Sequence, residues 1–355
     1  MRKIDFALLC SVVFLTLFGL FMIYDVSSYV AFRDFQDKFH YVKGQIFWVA
    51  IGFGLLTFFT YFDYRKLYNL SLPILISALV FLILVFIPGI GVHALGAKRW
   101  IDARLFIIQP VEFAKLALSI YLASWFSHKE RGRFPAFVLL VGLILFLVIL
   151  QPDMGSSLVI LSEALIVYFL SGGNLLYFAA GIPVTVIISL IFIKISPYRY
   201  ERLKTFLDFN QSAETSSYHV KQILIALGSG GFFGVGLGNS IQKYAYLPET
   251  TTDSIFAIIA EETGFIGATL IVLVFAFVMW RGFLIAVKTK DNFGKLLGGG
   301  IITFLSVQTI INLSAQTVLV PLTGIPLPFI SYGGSSLIVD LSAIGILLNI
   351  SKHTL

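Results

Sequence analysis

The stretch Asp253-Ser-Ile-Phe-Ala-Ile-Ile-Ala260-Glu-Glu262-Thr-Gly-Phe-Ile-Gly-Ala-Thr-Leu-Ile-Val-Leu-Val-Phe-Ala-Phe-Val-Met-Trp280 decides how the chain is to be read. Residues 254–280 are long and apolar enough for a helix that crosses a bilayer, which takes about 20 residues. Yet an acid stands at its mouth, and Glu261 and Glu262 follow two turns later. An ionisable group in such a run costs several kcal/mol unless it meets a partner or a wet cavity. The stretch therefore predicts a spanning helix whose first turns face something polar.

The composition extends that reading to the whole chain. Of 355 residues, 58% are hydrophobic and 12% charged, and the mean hydropathy is +0.92. A soluble domain carries about a quarter charged residues, so polar side chains are too few here to cover a water-exposed globule. A soluble enzyme, a disordered chain and a nucleic-acid-binding domain are excluded, in spite of the net charge of +6. Ten candidate spans follow: 6–30, 44–62, 70–88, 110–126, 135–151, 156–171, 175–194, 254–280, 296–319 and 330–350. The expected fold is an all-α polytopic membrane protein, one integral domain over residues 1–355, with a long extracytoplasmic loop over 195–253. Arg2 and Lys3 resemble the start of a signal peptide, but no small-residue cleavage site follows and the apolar run is too long, so the first helix reads as uncleaved.

Lysine and arginine in short loops set the orientation. With the N-terminus in the cytoplasm, that side receives Arg2, Lys3, Arg65, Lys66, Lys129, Arg131, Arg133, Arg281, Lys288, Lys290, Lys295 and Lys352. The other side's short loops hold Arg33, Lys38, Lys43, Lys98, Arg99 and Arg104. Both termini are thus expected inside, at the cytoplasmic membrane. The single Cys10 excludes a disulfide framework and a cysteine-based zinc site, and it reads as a small buried hydrophobe. The five histidines, His40, His93, His128, His219 and His353, form no pair at metal-ligand spacing.

The 195–253 segment opens with a polar stretch, Ser196 to Ser217, holding Arg199, Arg202 and Lys204. His219 to Gly228 follows with the apolar spacing of a short interfacial helix. Gly228-Ser-Gly-Gly-Phe-Phe-Gly-Val-Gly-Leu-Gly238 lacks the Gly-Lys-Ser/Thr ending of a phosphate-binding loop and reads as close backbone packing beside a cavity. Pro73, Pro110, Pro152 and Pro183 mark kinks or helix ends.

Other charges also sit in or beside spans. Glu112 and Lys115, three apart, share one helical face, either as a buried ion pair or as functional groups. Asp153 lies at the outer end of the fifth span, and Glu163 and Asp340, alone in apolar runs, read as paired structural charges or boundary caps ahead of functional groups. Asp253 taken singly is a first-turn acid favoured by the helix dipole, with Thr251 or Thr252 as cap. What raises a functional reading is coincidence: Asp153, Asp253 and the basic Lys98–Arg99 loop all fall at the outer face, with Glu112 and Lys115 about a turn deeper.

These residues sit in long strings. Gly96-Ala-Lys-Arg-Trp-Ile101, Gln109-Pro-Val-Glu-Phe-Ala-Lys-Leu116, Gln151-Pro-Asp-Met-Gly-Ser-Ser157, Gln242-Lys-Tyr-Ala-Tyr-Leu-Pro-Glu249, Thr252-Asp-Ser-Ile-Phe-Ala-Ile-Ile-Ala-Glu-Glu262 and Pro326-Leu-Pro-Phe-Ile-Ser-Tyr-Gly-Gly-Ser-Ser336 occur in that order. With them the chain resembles the SEDS family of bacterial cell-wall polymerases, most closely its division-type (FtsW) branch, while elongation-type (RodA) and sporulation-type members share the motifs. Val111 and Ser254 depart from the family's pattern, and Ser254 bears on packing beside Asp253.

The resemblance implies ten membrane helices and an inverting peptidoglycan glycosyltransferase that polymerises lipid II, a disaccharide-pentapeptide on undecaprenyl pyrophosphate, outside the cytoplasmic membrane. It implies a class B penicillin-binding protein as partner, other division or elongation proteins around the pair, and Asp253 as the essential aspartate. In the expected displacement Asp253 takes the proton of the acceptor's hydroxyl. Arg99 and Lys115 would meet the leaving pyrophosphate, with Lys98, Arg202, Lys221 and Lys243 as weaker candidates. Gln109, Glu112, Asp153 and Glu261 complete the expected substrate site. A divalent cation, magnesium or manganese, could share the task with Asp153 or Glu261, although no ligand spacing establishes one. The rival readings are a lipid-linked oligosaccharide flippase and a non-catalytic scaffold for the penicillin-binding partner.

Overall fold

The computed structural model describes residues 4–94, 97–102, 104, 106–128, 133–174, 176–177, 179, 181, 200, 206, 215–244 and 247–354. The expected span 175–194, Pro183, Arg202, Lys204 and most of the polar stretch lie outside these residues. Among the described residues six helices precede the long loop: α1 (Phe6–Phe35), α2 (His40–Tyr61), α3 (Lys66–Leu84), α4 (Pro110–Phe126), α5 (Phe134–Leu150) and α6 (Met154–Leu170). One, α7 (Thr215–Gly230), lies within it, and three follow: α8 (Ile255–Lys288), α9 (Asn292–Gln316) and α10 (Gly334–Thr354). Nine of the ten expected spans are thus met by a helix among the described residues.

The all-α expectation needs one correction. The segment between α3 and α4 forms an antiparallel sheet, ordered β1 (Gly91–Ala94), β2 (Ala97–Asp102), β3 (Ile107–Ile108). Backbone leaving a helix must find other hydrogen-bond partners, and this short segment finds them in itself. The pairing places Lys98 and Arg99 on β2.

Apolar 18-residue stretches of α9 and α10 are 72% and 83% buried, against 39% in α1 and 22% in α2. Small residues make that burial possible, since helices in lipid associate where backbones approach closely. A Cβ on Gly345 of α10 would stand 2.6 Å from Leu56 O of α2, and one on Gly300 of α9 would stand 2.8 Å from Ser119 Oγ of α4. Cys10 corrects the expected burial: it is exposed on the outer face of α1.

Both chain ends lie at one end of the bundle. Asp5 caps α1 by accepting from Leu8 N, its own N–H donates to Ser351 Oγ, and its carboxylate holds Arg281 of α8 at 2.6 Å. At the same end Asn349 bonds Tyr64 N, beside Arg65 and Lys66. Since α8 and α10 both finish there, their first residues, Ile255 and Gly334, mark the opposite end.

The α8 helix is broken. Gly264 has φ 69° and ψ −169°, which an L side chain rarely adopts. The break frees two carbonyls and two N–H groups, and the glycine-rich loop satisfies all four. Val235 N and Gly236 N donate to Glu261 O and Glu262 O, and Phe265 N and Ile266 N donate to Gly231 O and Phe232 O. A Cβ on Gly234 would lie 2.1 Å from Glu262 O, so the close backbone packing read from the sequence is what the structure contains. Residues 265–288 make a helix of roughly 36 Å, enough for a bilayer core of about 30 Å, so the 255–263 piece is free to build a site.

Candidate functional site

A cavity of about 840 Å³ opens at the end of the bundle away from the termini. Its polar side holds Asp253, Glu249, Arg99, Gln109 and His219, and its apolar side holds Phe47, Trp48, Trp100, Phe106 and Ile107. Trp48 packs edge-on against Phe106 with centroids 5.4 Å apart. A smaller space of about 60 Å³ adjoins it between Asp253, Glu249, His219, Asn312 and Gln316.

Each polar group has an identifiable support. Arg99 leaves β2 and donates Nε to Gln151 O at 3.2 Å and Nη2 to Pro152 O at 2.5 Å, which ties the sheet to the α5–α6 junction. Its third nitrogen, Nη1, lies 4.0 Å from where a Cβ of Gly324 would stand, and Asp253 Oδ2 lies 3.4 Å from that same point. Gly324 has φ +75°, a backbone conformation that favours glycine. The backbone N–H of Gln109 donates to Ser335 Oγ at 3.0 Å, and its side-chain amide Nε2 donates to Asp153 Oδ2 at 3.4 Å.

Asp253 lies just before α8. The expected threonine cap is corrected: Ser254 is the N-cap and makes no side-chain cap bond. Its hydroxyl instead pairs with His219 Nε2 at 2.8 Å, joining α7 to the start of α8.

The other expected site residues stand elsewhere. Lys98 is exposed and is not among the cavity's lining residues. Asp153 is buried as the cap of α6, accepting from Ser156 N at 3.0 Å and Ser156 Oγ at 2.9 Å, and serves the cavity only through Gln109. Glu112 and Lys115 are each 1% exposed and pair at 2.7 Å, with Lys115 Nζ also donating to Gln308 Oε1 at 2.5 Å. Their side chains turn into the core, so the ion-pair alternative is the one the structure contains. Glu261 is held by Ser240 and lies outside the cavity, and Lys243 is spent on Asp25 at 2.9 Å and Glu262 at 3.0 Å. Asp153 and Glu261 therefore stand in separate clusters, and among the described residues no group of three or more His, Cys, Asp or Glu has metal-holding geometry.

Sequence reading missed Glu249, His219 and Trp48. Histidine without a partner at ligand spacing carries no signal in one dimension, and an aromatic in an apolar run looks like core.

Glu163 and Asp340, read as paired charges, differ. Glu163 accepts from Ser119 Oγ at 2.5 Å. Asp340 is fully buried, and neither carboxylate oxygen has a hydrogen-bond partner. An unsatisfied buried polar group costs about 1–3 kcal/mol. Asp340→Leu, similar in shape, is therefore expected to raise the thermal unfolding midpoint in detergent, and an unchanged or lowered midpoint would count against that cost.

A bundle of long apolar helices, two of them sheathed by the rest, with a charged cavity at one end, defines a polytopic membrane protein with a polar site at its rim. A family model described as "Cell cycle protein", covering FtsW, RodA and SpoVE, matches residues 6–355. The chain belongs to that FtsW/RodA/SpoVE family. It is 38% identical to "Stage V sporulation protein E" of Bacillus subtilis (strain 168), over 99% of this chain and 97% of that protein. It is also 38% identical to a "Probable peptidoglycan glycosyltransferase FtsW" of Geobacter sp. (strain M18), over 99% of both. Among solved structures, a chain from work on "polymerization and crosslinking by a peptidoglycan synthase complex" superposes with TM-score 0.81 at 24% identity, over 98% of both chains. The Thermus thermophilus rod shape determining protein RodA superposes with TM-score 0.73 at 24% identity, over 99% of this chain and 98% of that one. At that identity the two structures speak for the fold alone.

Proposed function

We propose that this chain is an inverting peptidoglycan glycosyltransferase that polymerises lipid II at the outer face of the cytoplasmic membrane, with a class B penicillin-binding protein as partner, in division. The observation that carries the reading is the meeting of Asp253 and Arg99 over Gly324 inside a cavity with one polar and one apolar side. A substrate with a sugar-pyrophosphate head and a polyprenyl tail needs both sides. The full-length similarity to proteins named as this enzyme supports it. So does the crowding of Arg65, Lys66, Arg281 and Lys352 at the end that holds the termini, the distribution expected of a cytoplasmic side.

The acceptor's 4-hydroxyl attacks the anomeric carbon of the lipid-linked donor. The new C–O bond forms as the bond to pyrophosphate breaks, and Asp253 takes the hydroxyl proton. Negative charge grows on the departing pyrophosphate, and Arg99 Nη1 is the cation aimed at the same space. Fixed geometry supplies much of the remaining rate.

Purified protein with its partner, given labelled lipid II with transpeptidation blocked, tests the reading. Glycan polymer supports it. Lipid movement without polymer would make the chain a flippase, and neither outcome would leave a scaffold. Arg99→Lys is a finer test. Lysine has a single nitrogen in place of the planar fork whose separate nitrogens reach two carbonyls and the cavity, so polymerisation should fall on the order of 10²-fold at an unchanged level of folded protein.

A further inference from the structure

Three consecutive carbonyls lead into and include Asp253, and each is held from another part of the chain. Tyr332 N donates to Thr251 O at 2.8 Å. Ser331 Oγ donates to Thr252 O at 2.6 Å. Asn312 Nδ2, from α9, donates to Asp253 O at 3.1 Å. The holders are themselves fixed. Ser331 Oγ accepts from Leu327 N at 2.8 Å, and Asn312 Nδ2 also donates to Ile325 O at 2.7 Å. Two carbonyl partners determine which end of the amide faces the turn. Both side chains are almost fully buried, Asn312 at 2% and Ser331 at 3% exposure.

This clamp replaces what the helix lacks. The N-cap of α8 makes no side-chain cap bond, and the turn before it is gripped from α9 and the 325–332 segment instead. The carboxylate of Asp253 is a short side chain hung from a backbone unit whose carbonyl is gripped by α9. A general base must stand within hydrogen-bond reach of the proton it takes, and a displacement of about 1 Å can cost 10²-fold in rate. We infer that Asn312 and Ser331 are positioning residues for this reaction: they hold the 251–253 backbone so that the Asp253 carboxylate stands where the acceptor hydroxyl arrives. The inference rests on the reading of Asp253 as the base.

The test uses the full chain with its partner in lipid nanodiscs, carrying Asn312→Leu, Ser331→Ala or Ser331→Thr. With lipid II as substrate, kcat should fall at least about tenfold in Asn312→Leu and Ser331→Ala, while KM and the thermal midpoint hold. Ser331→Thr keeps the hydroxyl and should keep most of kcat. A second readout needs no catalysis. Cys10 is the one cysteine in the sequence, so Asp253→Cys in a Cys10→Ser background carries a single thiol at the site. Its maleimide labelling rate should change when Asn312→Leu is added. Normal kcat in both Asn312→Leu and Ser331→Ala, or a rate loss matched by lost folded protein with an unchanged labelling rate, overturns the inference. If Asn312→Leu does not fold, Ser331→Ala against Ser331→Thr decides. Should Asp253→Asn prove active, the base reading itself fails, whatever the labelling shows. If Asp253→Asn is dead and the clamp variants are normal, only the clamp fails.

Discussion

Asp253→Asn is expected to abolish lipid II polymerisation while leaving a folded, partner-binding protein. Asparagine has nearly the same shape but cannot accept a proton, and positioned acid–base groups contribute about 10²- to 10⁴-fold to rate. The fold should tolerate the change because the contact anchoring this residue from α9 is made to its backbone carbonyl, which the substitution keeps. The measurement is glycan polymer from labelled lipid II, beside the thermal midpoint and a pull-down of the penicillin-binding partner. Polymer at near the normal rate would remove Asp253 from the chemistry. Polymer and midpoint lost together would make it a structural acid.

Lys243→Met is expected to have the largest effect on stability. Lys243 Nζ lies 2.9 Å from both oxygens of Asp25 on α1 and 3.0 Å from Glu262 Oε1 on α8. It is the cation of a cage that also takes in Ser240 N, bonded to Glu262 Oε1 at 3.2 Å. Removing one partner of a buried pair costs about 3–5 kcal/mol because the remaining charge is stranded, and here two carboxylates would face each other. Adding Asp25→Asn and Glu262→Gln to Lys243→Met should recover part of the loss. A Lys243→Met midpoint equal to that of the unmodified protein would show the cage to be of no consequence.

Burial alone pushes the Lys243 ammonium down, but bonds to Asp25 and Glu262 outweigh it, so its pKa stands above the ordinary lysine value. A lysine raised on folding contributes stability below its unfolded pKa and loses it as pH rises through the folded one. The cage should therefore hold through neutral pH and weaken only in strong alkali. Its place explains why it matters: Glu261 and Glu262 precede the break at Gly264, so the cage and the glycine loop together hold the half-helix that begins next to Asp253.

The spans were legible from hydropathy because lipid requires long apolar runs. The 110–126 span coincides with α4, and the 254–280 span ends eight residues short of α8 because Arg281 to Lys288 continue helically beyond the apolar run. The sheet over 91–108 was not legible, since strands of four, six and two residues are too short to show an alternating period. The glycine loop was legible as close packing, but not as the partner of a break thirty residues further on.

For the site, the residues nearest the chemistry could be named from one dimension, and their neighbours could not. Asp253, Arg99 and Gln109 stand out as charge or polarity at a membrane boundary, and they do line one cavity. Glu112, Lys115 and Glu261 stand out for the same reason, yet each spends its charge inside the protein. An acid in an apolar helix announces that it must be satisfied; it does not announce by what. The chain alone therefore settles that it lives in a bilayer and which acids are costly there, because hydrophobicity and charge are properties of single residues. Whether a given acid faces a lysine, a serine or an open chamber was decided only when α9, the 325–332 turn and the strand bearing Arg99 closed around the start of α8, because contact between residues far apart in sequence is a property of the folded chain.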